Sequence, residues 1–315
     1  MAFVVPKEAY NGKINQITIN RNGKTLQIGG GEVLPFLSFE GKVSTSVPIA
    51  LEITDIVPDD WPESLTKHYE GVISDPAKWA RFCQDEFKPD MICLRLIGTH
   101  PDRGDRTPEE ARKTVESVLS AIDIPLMVFG SNSVEKDSDV IKVCAEPLAN
   151  TGSIIGKAQE KNYKIFAAVA NSFQLRLVAL SDLDINLSKQ LNILLTQAGF
   201  EGSNIIIDAM PSTLGYGLEY TYSVMERIRL AALQQNDTMM QMPIIADVGD
   251  VTWKVKEAKA PQSDQPAWGD PARRGVLWET ITAEAFLMAG GDLVVVRHPK
   301  TLTALRASIA DLASA

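Results

Sequence analysis

The stretch DINLSKQLNILLTQAGF at 184–200, followed by EGSNIIIDAMPSTLGYG at 201–217 and LEYTYSVMERIRLAAL at 218–233, decides the fold. It reads as helix, buried strand, polar turn, helix. The first helix is expected over 186–198, with Leu187, Leu191, Leu194 and Ala198 on one apolar face. Asp184, Asn186 or Ser188 can cap its start, and Gly199 can end it. Ile205, Ile206 and Ile207 are apolar without alternation, so both faces of that strand should be covered, as in a parallel sheet. The second helix, over 217–235, places Leu218, Tyr222, Met225, Ile228 and Ala232 on one stripe. The loop Asp208–Gly217 then lies beyond the carboxyl end of a strand, where parallel α/β folds place ligands.

The same alternation extends over most of the chain. Strands are expected at 47–53, 91–97, 126–129, 153–156, 175–180, 204–207, 243–247 and 293–297. Helices are expected at 76–87, 108–121, 134–146, 160–172, 186–198, 217–235, 276–289 and 300–313. Pro76, Pro108 and Pro299 suit first helical turns, where a missing N–H costs nothing. Eight strand–helix units match the size of a (β/α)8 TIM barrel of roughly 250 residues. Ahead of them, INQITINRNGKTLQI at 14–28 alternates around Asn22–Gly23, a hairpin signal. The expected organisation is an N-terminal hairpin extension over 1–45, capping one barrel end, and a TIM barrel over 46–315. Gly29–Gly31 precede no helix and read as the hairpin's exit rather than a phosphate cradle.

Composition narrows the function. The 315 residues carry a formal charge of −9, and phosphate backbones need a basic face, so nucleic acid is not an expected partner. No apolar run approaches the ~18–20 residues needed to span a bilayer, so no membrane partner is expected. The N-terminus has too short an apolar core for a secretory signal, which makes the cytoplasm the expected location. Cys83, Cys93 and Cys144 show no ligand spacing and read as buried small hydrophobes, short of the about four thiolates of an iron–sulfur cluster.

Recognisable catalytic motifs are missing, and no catalytic or metal-ligating residue is assigned. His68, His100 and His298 do not fit D-x-H-x-x-G, because Thr66, Gly98 and Val296 stand two residues earlier. His100 and His298 follow strands on the presumptive ligand face, so acid–base and structural roles both stay open. Lys157 also follows a strand, as in Schiff-base aldolases, but no supporting pattern accompanies it. Asp55, Asp208, Asp247 and Asp250 end strands and could orient a polar ligand or simply cap helices. Trp61, Trp79 and Trp278 read as packing residues. The connection 248–275 is too long for a simple turn. It holds Trp253, Trp268, three lysines and Arg273–Arg274, which favours contact with a ligand or partner.

Several blocks carry a resemblance: PFLSFEG at 35–41, DWPESL at 60–65, DINLSKQLNILL at 184–195, GYGLEYTYSVMERIRLAAL at 215–233, WKVKEA at 253–258, WGDPARRG at 268–275 and RHP at 297–299. The chain resembles the small subunit of the corrinoid/iron–sulfur protein, the delta subunit family of the acetyl-CoA decarbonylase/synthase complex. The resemblance implies a TIM barrel paired with a large corrinoid/iron–sulfur subunit that carries the [4Fe–4S] cluster and holds most of the corrinoid (a cobalamin). It implies a non-catalytic part in a methyl carrier of the reductive acetyl-CoA pathway. The methyl group comes from methyltetrahydrofolate through a methyltransferase and goes to acetyl-CoA synthase/CO dehydrogenase. A reductive activator is a further expected partner. The rival reading is a stand-alone pterin-binding methyltransferase. The small subunit's expected task is to cover one side of the corrinoid. By position at strand ends, Gly130, Ser131, Met210, Pro211, Gly249, Trp253 and His298 are the expected contacts.

Overall fold

The computed structural model describes residues 4–44 and 47–314. Two antiparallel strands, β1 (Gln16–Arg21) and β2 (Lys24–Gly29), form the expected hairpin. Its turn is Asn22–Gly23, both at positive φ (48° and 77°), the conformation that suits a two-residue hairpin loop. Eight parallel strands follow: β3 (Ile49–Thr54), β4 (Met91–Arg95), β5 (Leu126–Phe129), β6 (Ile154–Ala158), β7 (Arg176–Leu180), β8 (Ile205–Asp208), β9 (Ile244–Asp247) and β10 (Leu293–Val296). They close in chain order, with β10 paired to β3. This is a TIM barrel. The expected boundary at residues 45 and 46 lies outside the described residues.

The helices that follow the strands are α1 (Glu63–Thr66), α2 (Pro76–Phe82), α3 (Pro108–Ala121), α4 (Val134–Cys144), α5 (Tyr163–Phe173), α6 (Ile185–Gln197), α7 (Leu218–Leu233), α8 (Val248–Thr252), α9 (Lys256–Lys259), α10 (Pro271–Met288) and α11 (Pro299–Ser314). Local chemistry sets their ends. Asp75 caps α2 ahead of Pro76, and Thr107 with Glu110 forms a capping box ahead of α3. Asp184 accepts the N–H groups of Asn186 and Leu187 at the start of α6.

Two departures from expectation are informative. The buried side of α6 runs through Ser188, Leu191, Asn192 and Leu195, while Leu187 is 40% exposed. The helix is rotated because its polar residues find partners inward: Ser188 bonds Ser181, and Asn192 donates to the carbonyl of Met239. The segment 248–275 is also no open loop. It contains α8 and α9 and enters α10 at Pro271, with the Asp270 side chain capping that helix.

The hairpin lies against the amino end of the barrel. Ile17, Ile19 and Ile28 pack with inward residues of the strands, including Met91, Met127, Phe129 and Val295. Arg21 ties the hairpin down by donating to the carbonyls of Leu119 and Ile122. This closes the bottom of the barrel with apolar side chains and leaves the carboxyl end as its polar mouth.

Candidate functional site

At the carboxyl end of the strands the barrel interior changes from apolar to ionic. Glu52 on β3, Arg95 on β4, Lys157 on β6, Asp208 on β8 and Asp247 on β9 all project inward, joined by Arg297 just after β10 and by Asp250 on α8. Apart from Asp250, these side chains are 9% exposed or less. Arg95 binds Glu52 through Nη2 at 2.6 Å and Asp247 at 2.8 Å. Lys157 Nζ lies 2.6 Å from Asp247 and 2.7 Å from Asp208. Arg297 reaches Glu52 at 2.7 Å and Asp250 at 3.0 Å, and Lys254 closes the chain on Asp250 at 2.9 Å. Four carboxylates therefore meet four cations in one continuous network. Buried charges survive only when paired in this way.

The electrostatics follow from the pairing. Burial works to depress the Lys157 ammonium, but Asp208 and Asp247 outweigh it and raise its pKa above the usual lysine value. An amine held protonated is not a Schiff-base nucleophile, so the network opposes the aldolase-like role. Burial favours the protonated form of Asp247, yet Arg95 and Lys157 hold its carboxyl below the usual range. Asp208 is raised, because burial and the neighbouring Asp247 exceed what its one lysine returns.

Above this network opens a cleft of about 300 Å³ lined by residues such as Thr54, Trp61, His100, Arg103, Ser131 and Asn132. Arg103 pairs with Asp60 there at 3.0 Å, and Arg297 lies 4.9 Å over the ring of Trp61. Asp55 takes no part in the network. It accepts the N–H of Gly98 and pairs with Arg106 at 3.5 Å.

The seven expected contact residues fall into separate environments. Gly130 and Ser131 form the β5–α4 turn. A Cβ on Gly130 would stand 2.2–2.5 Å from the Asp137 carboxyl group, which accepts the N–H and Oγ–H of Ser131. Met210 is 39% exposed beyond β8 at positive φ, beside buried Pro211. Gly249 is buried and lies where any side chain would meet Arg297. Trp253 and His298 are each 1% exposed and stack on one another, with ring centroids 5.8 Å apart. The Trp253 indole also fills the space above Gly275 on α10. His298 Nδ1 accepts the N–H of Lys300, and burial lowers its pKa to about 3. These two aromatic rings pack between α8, α10 and the start of α11, below the rim, and offer no free area. Ser131 and Met210 remain at the rim itself.

Glu52, Arg95 and Arg297 were not among the residues singled out for chemistry. A charged residue inside an apolar strand, as in IALEIT and MICLR, was the available signal.

The family model of the CO dehydrogenase/acetyl-CoA synthase delta subunit matches residues 16–297. The chain belongs to that family. The delta subunit of the acetyl-CoA decarbonylase/synthase complex from Methanocaldococcus jannaschii is 30% identical over 308 residues, covering 96% of this chain and 74% of the relative. Its counterpart from Archaeoglobus fulgidus is 32% identical over 312 residues, covering 95% and 68%. As a delta-subunit family member the chain is a component of a multi-subunit complex. Among solved structures, dihydropteroate synthase of Xanthomonas albilineans with 4-aminobenzoic acid matches with TM-score 0.57 at 14% identity, covering 93% of this chain and 98% of that one. The Coxiella burnetii dihydropteroate synthase also gives 0.57, at 10% identity, covering 95% and 99%. These likenesses concern the barrel fold alone. No helix among the described residues of this delta-subunit family chain is long and apolar enough to cross a membrane.

Proposed function

We propose that this chain is the small, non-catalytic subunit of a corrinoid/iron–sulfur methyl carrier and that its barrel mouth covers a corrinoid held mainly by the large subunit. The observation that carries this reading is the self-paired mouth. Its buried ions are committed to one another, the buried Lys157 amine is held protonated, and buried His298 is engaged by the N–H of Lys300 and by the Trp253 ring. Such a surface suits a cover better than a reactive pocket.

The rim has the chemistry that a corrinoid's face requires. Val57 and Met210 are exposed at 51% and 39% on two different strand–helix connections of the mouth side, and Leu187, in the first turn of α6, is exposed at 40%. Between them lie polar groups, among them Ser131 and Asn132, able to meet amide side chains. Among the described residues, no group of three or more His, Cys, Asp or Glu is arranged to hold a metal ion, and the [4Fe–4S] cluster is assigned to the large subunit. A bound corrinoid supplies a cobalt centre that takes up and releases a methyl group. The residues of this chain would keep water from it, while the apolar rim sets the distance of approach. In this reading the methyl group arrives from methyltetrahydrofolate through a methyltransferase and leaves to acetyl-CoA synthase/CO dehydrogenase, and a reductive activator restores oxidised carrier. The setting is the reductive acetyl-CoA pathway.

Anaerobic purification of the chain alone and together with the large subunit tests the proposal. The expected result is a colourless, inactive single chain and a coloured complex that accepts methyl groups. Methyl transfer from methyltetrahydrofolate by the lone chain would establish the stand-alone methyltransferase instead.

A further inference from the structure

We infer that the outward face of α10, together with the residues leading into α7, is the docking face for the large subunit of the proposed pairing. On α10, Leu277, Ile281 and Met288 are 47%, 45% and 44% exposed. Their spacing of four and seven residues puts them on one stripe. Tyr220 in the first turn of α7, 64% exposed, and Tyr216 just before that helix, 52% exposed with its hydroxyl donating to Glu257 at 2.8 Å, extend the stripe. The two parts are joined by Trp278, whose Nε1 donates to the carbonyl of Leu214 at 3.0 Å and whose ring lies 3.7 Å from the Cβ position of Gly215.

The inner side of α10 has no need of these residues. It is buried through Gly275, Glu279, Ala283 and Phe286. A helix that is buried on one side and carries a second apolar stripe on the other is normally covered there too.

The area matches a subunit contact. Given ~150–250 Å² for a large side chain, the five exposed residues offer roughly 500 Å² of apolar surface, at the upper end of what a monomer shows. A standard interface buries about 800 Å² per partner, so this stripe would supply its apolar centre with a polar margin around it. The choice of a different subunit over a second copy follows from membership of a family of complex subunits. The inference rests on the proposed pairing with a large subunit and assigns it a surface separate from the mouth. Docking through the side of the barrel leaves the mouth free to face a bound group.

The test combines Leu277→Glu with Ile281→Glu and measures association with the separately purified large subunit by sedimentation velocity and calorimetry. The expected result is an affinity lower by about 100-fold, since charges placed at an interface centre cannot be solvated, with an unchanged melting curve for the chain alone. Tyr220→Glu, on the most exposed member, serves if the double variant does not fold, with about tenfold loss expected. Unchanged affinity in these variants overturns the inference and leaves the pairing intact. Failure of the unaltered chain to bind the large subunit overturns the pairing itself. A homodimer of the unaltered chain that the variants dissolve overturns the choice of partner.

Discussion

At the scale of single residues, the network in the mouth makes Lys157 the side chain whose loss should be felt most. It holds Asp208 and Asp247 together at 2.7 and 2.6 Å. Lys157→Met leaves two buried carboxylates facing each other, and breaking such a pair costs about 3–5 kcal/mol. Chemical denaturation at neutral pH should show that loss. The companion change Asp208→Asn should recover part of it in Lys157→Met. His298 supplies a pH dependence. Its pKa is lowered to about 3 in the fold, against about 6.5 for a free imidazole. Below the unfolded value the unfolded chain takes up a proton that the folded chain refuses until the lower one. Stability contributed by the neutral ring is therefore full above about pH 6.5 and is lost as pH falls towards 3. His298→Gln should flatten the difference in denaturation midpoint between pH 7 and pH 5. An unchanged difference would place the titrating group elsewhere.

Elements show how the mouth is held in position. The carboxylate of Glu279 on α10 accepts the N–H groups of Arg297 at 2.7 Å and His298 at 3.2 Å. One helix thus fixes the end of β10 and the aim of Arg297 into the network. Trp253 sits between α8 and α10 with Gly275 directly beneath its ring, 2.5 Å from where a Cβ would be. Gly275→Ala should push the helices apart and cost about 1–3 kcal/mol as overpacking does, seen as a lower thermal midpoint. Trp253→Ala removes the ring and should cost about 3–5 kcal/mol. The position of Trp253 on a long connection suggested a ligand contact, but its burial makes it a packing residue of that connection.

For the whole molecule, the two ends of the barrel are divided by chemistry. The hairpin closes the amino end with Ile17, Ile19 and Ile28, and the ion network fills the carboxyl end. Ile19 is fully buried between them and the strands. Ile19→Asp places an unpaired carboxylate in that apolar layer, and burying a charge without a partner is strongly unfavourable. The expected outcome is loss of the cooperative melting transition or binding of a hydrophobic dye by the native-condition protein. A fully stable variant would show that the hairpin is dispensable to the barrel.

The eight strand–helix units, the hairpin with its Asn22–Gly23 turn, the Asp184 cap and the first-turn prolines Pro76 and Pro108 were all open to reading in the chain alone. Each depends on local periodicity or on a turn chemistry confined to a few residues. The blocks from PFLSFEG to RHP likewise pointed to the family. The tertiary structure decided which polar residues share the mouth. Glu52, Arg95, Lys157, Asp247 and Arg297 are separated by up to 245 positions in the chain, as in the Arg297–Glu52 pair, and only barrel closure between β10 and β3 brings the ends together. It also decided the rotation of α6 and the burial of Trp253 and His298. Those outcomes depend on which neighbour fills each space, and no periodicity along one segment encodes its neighbour.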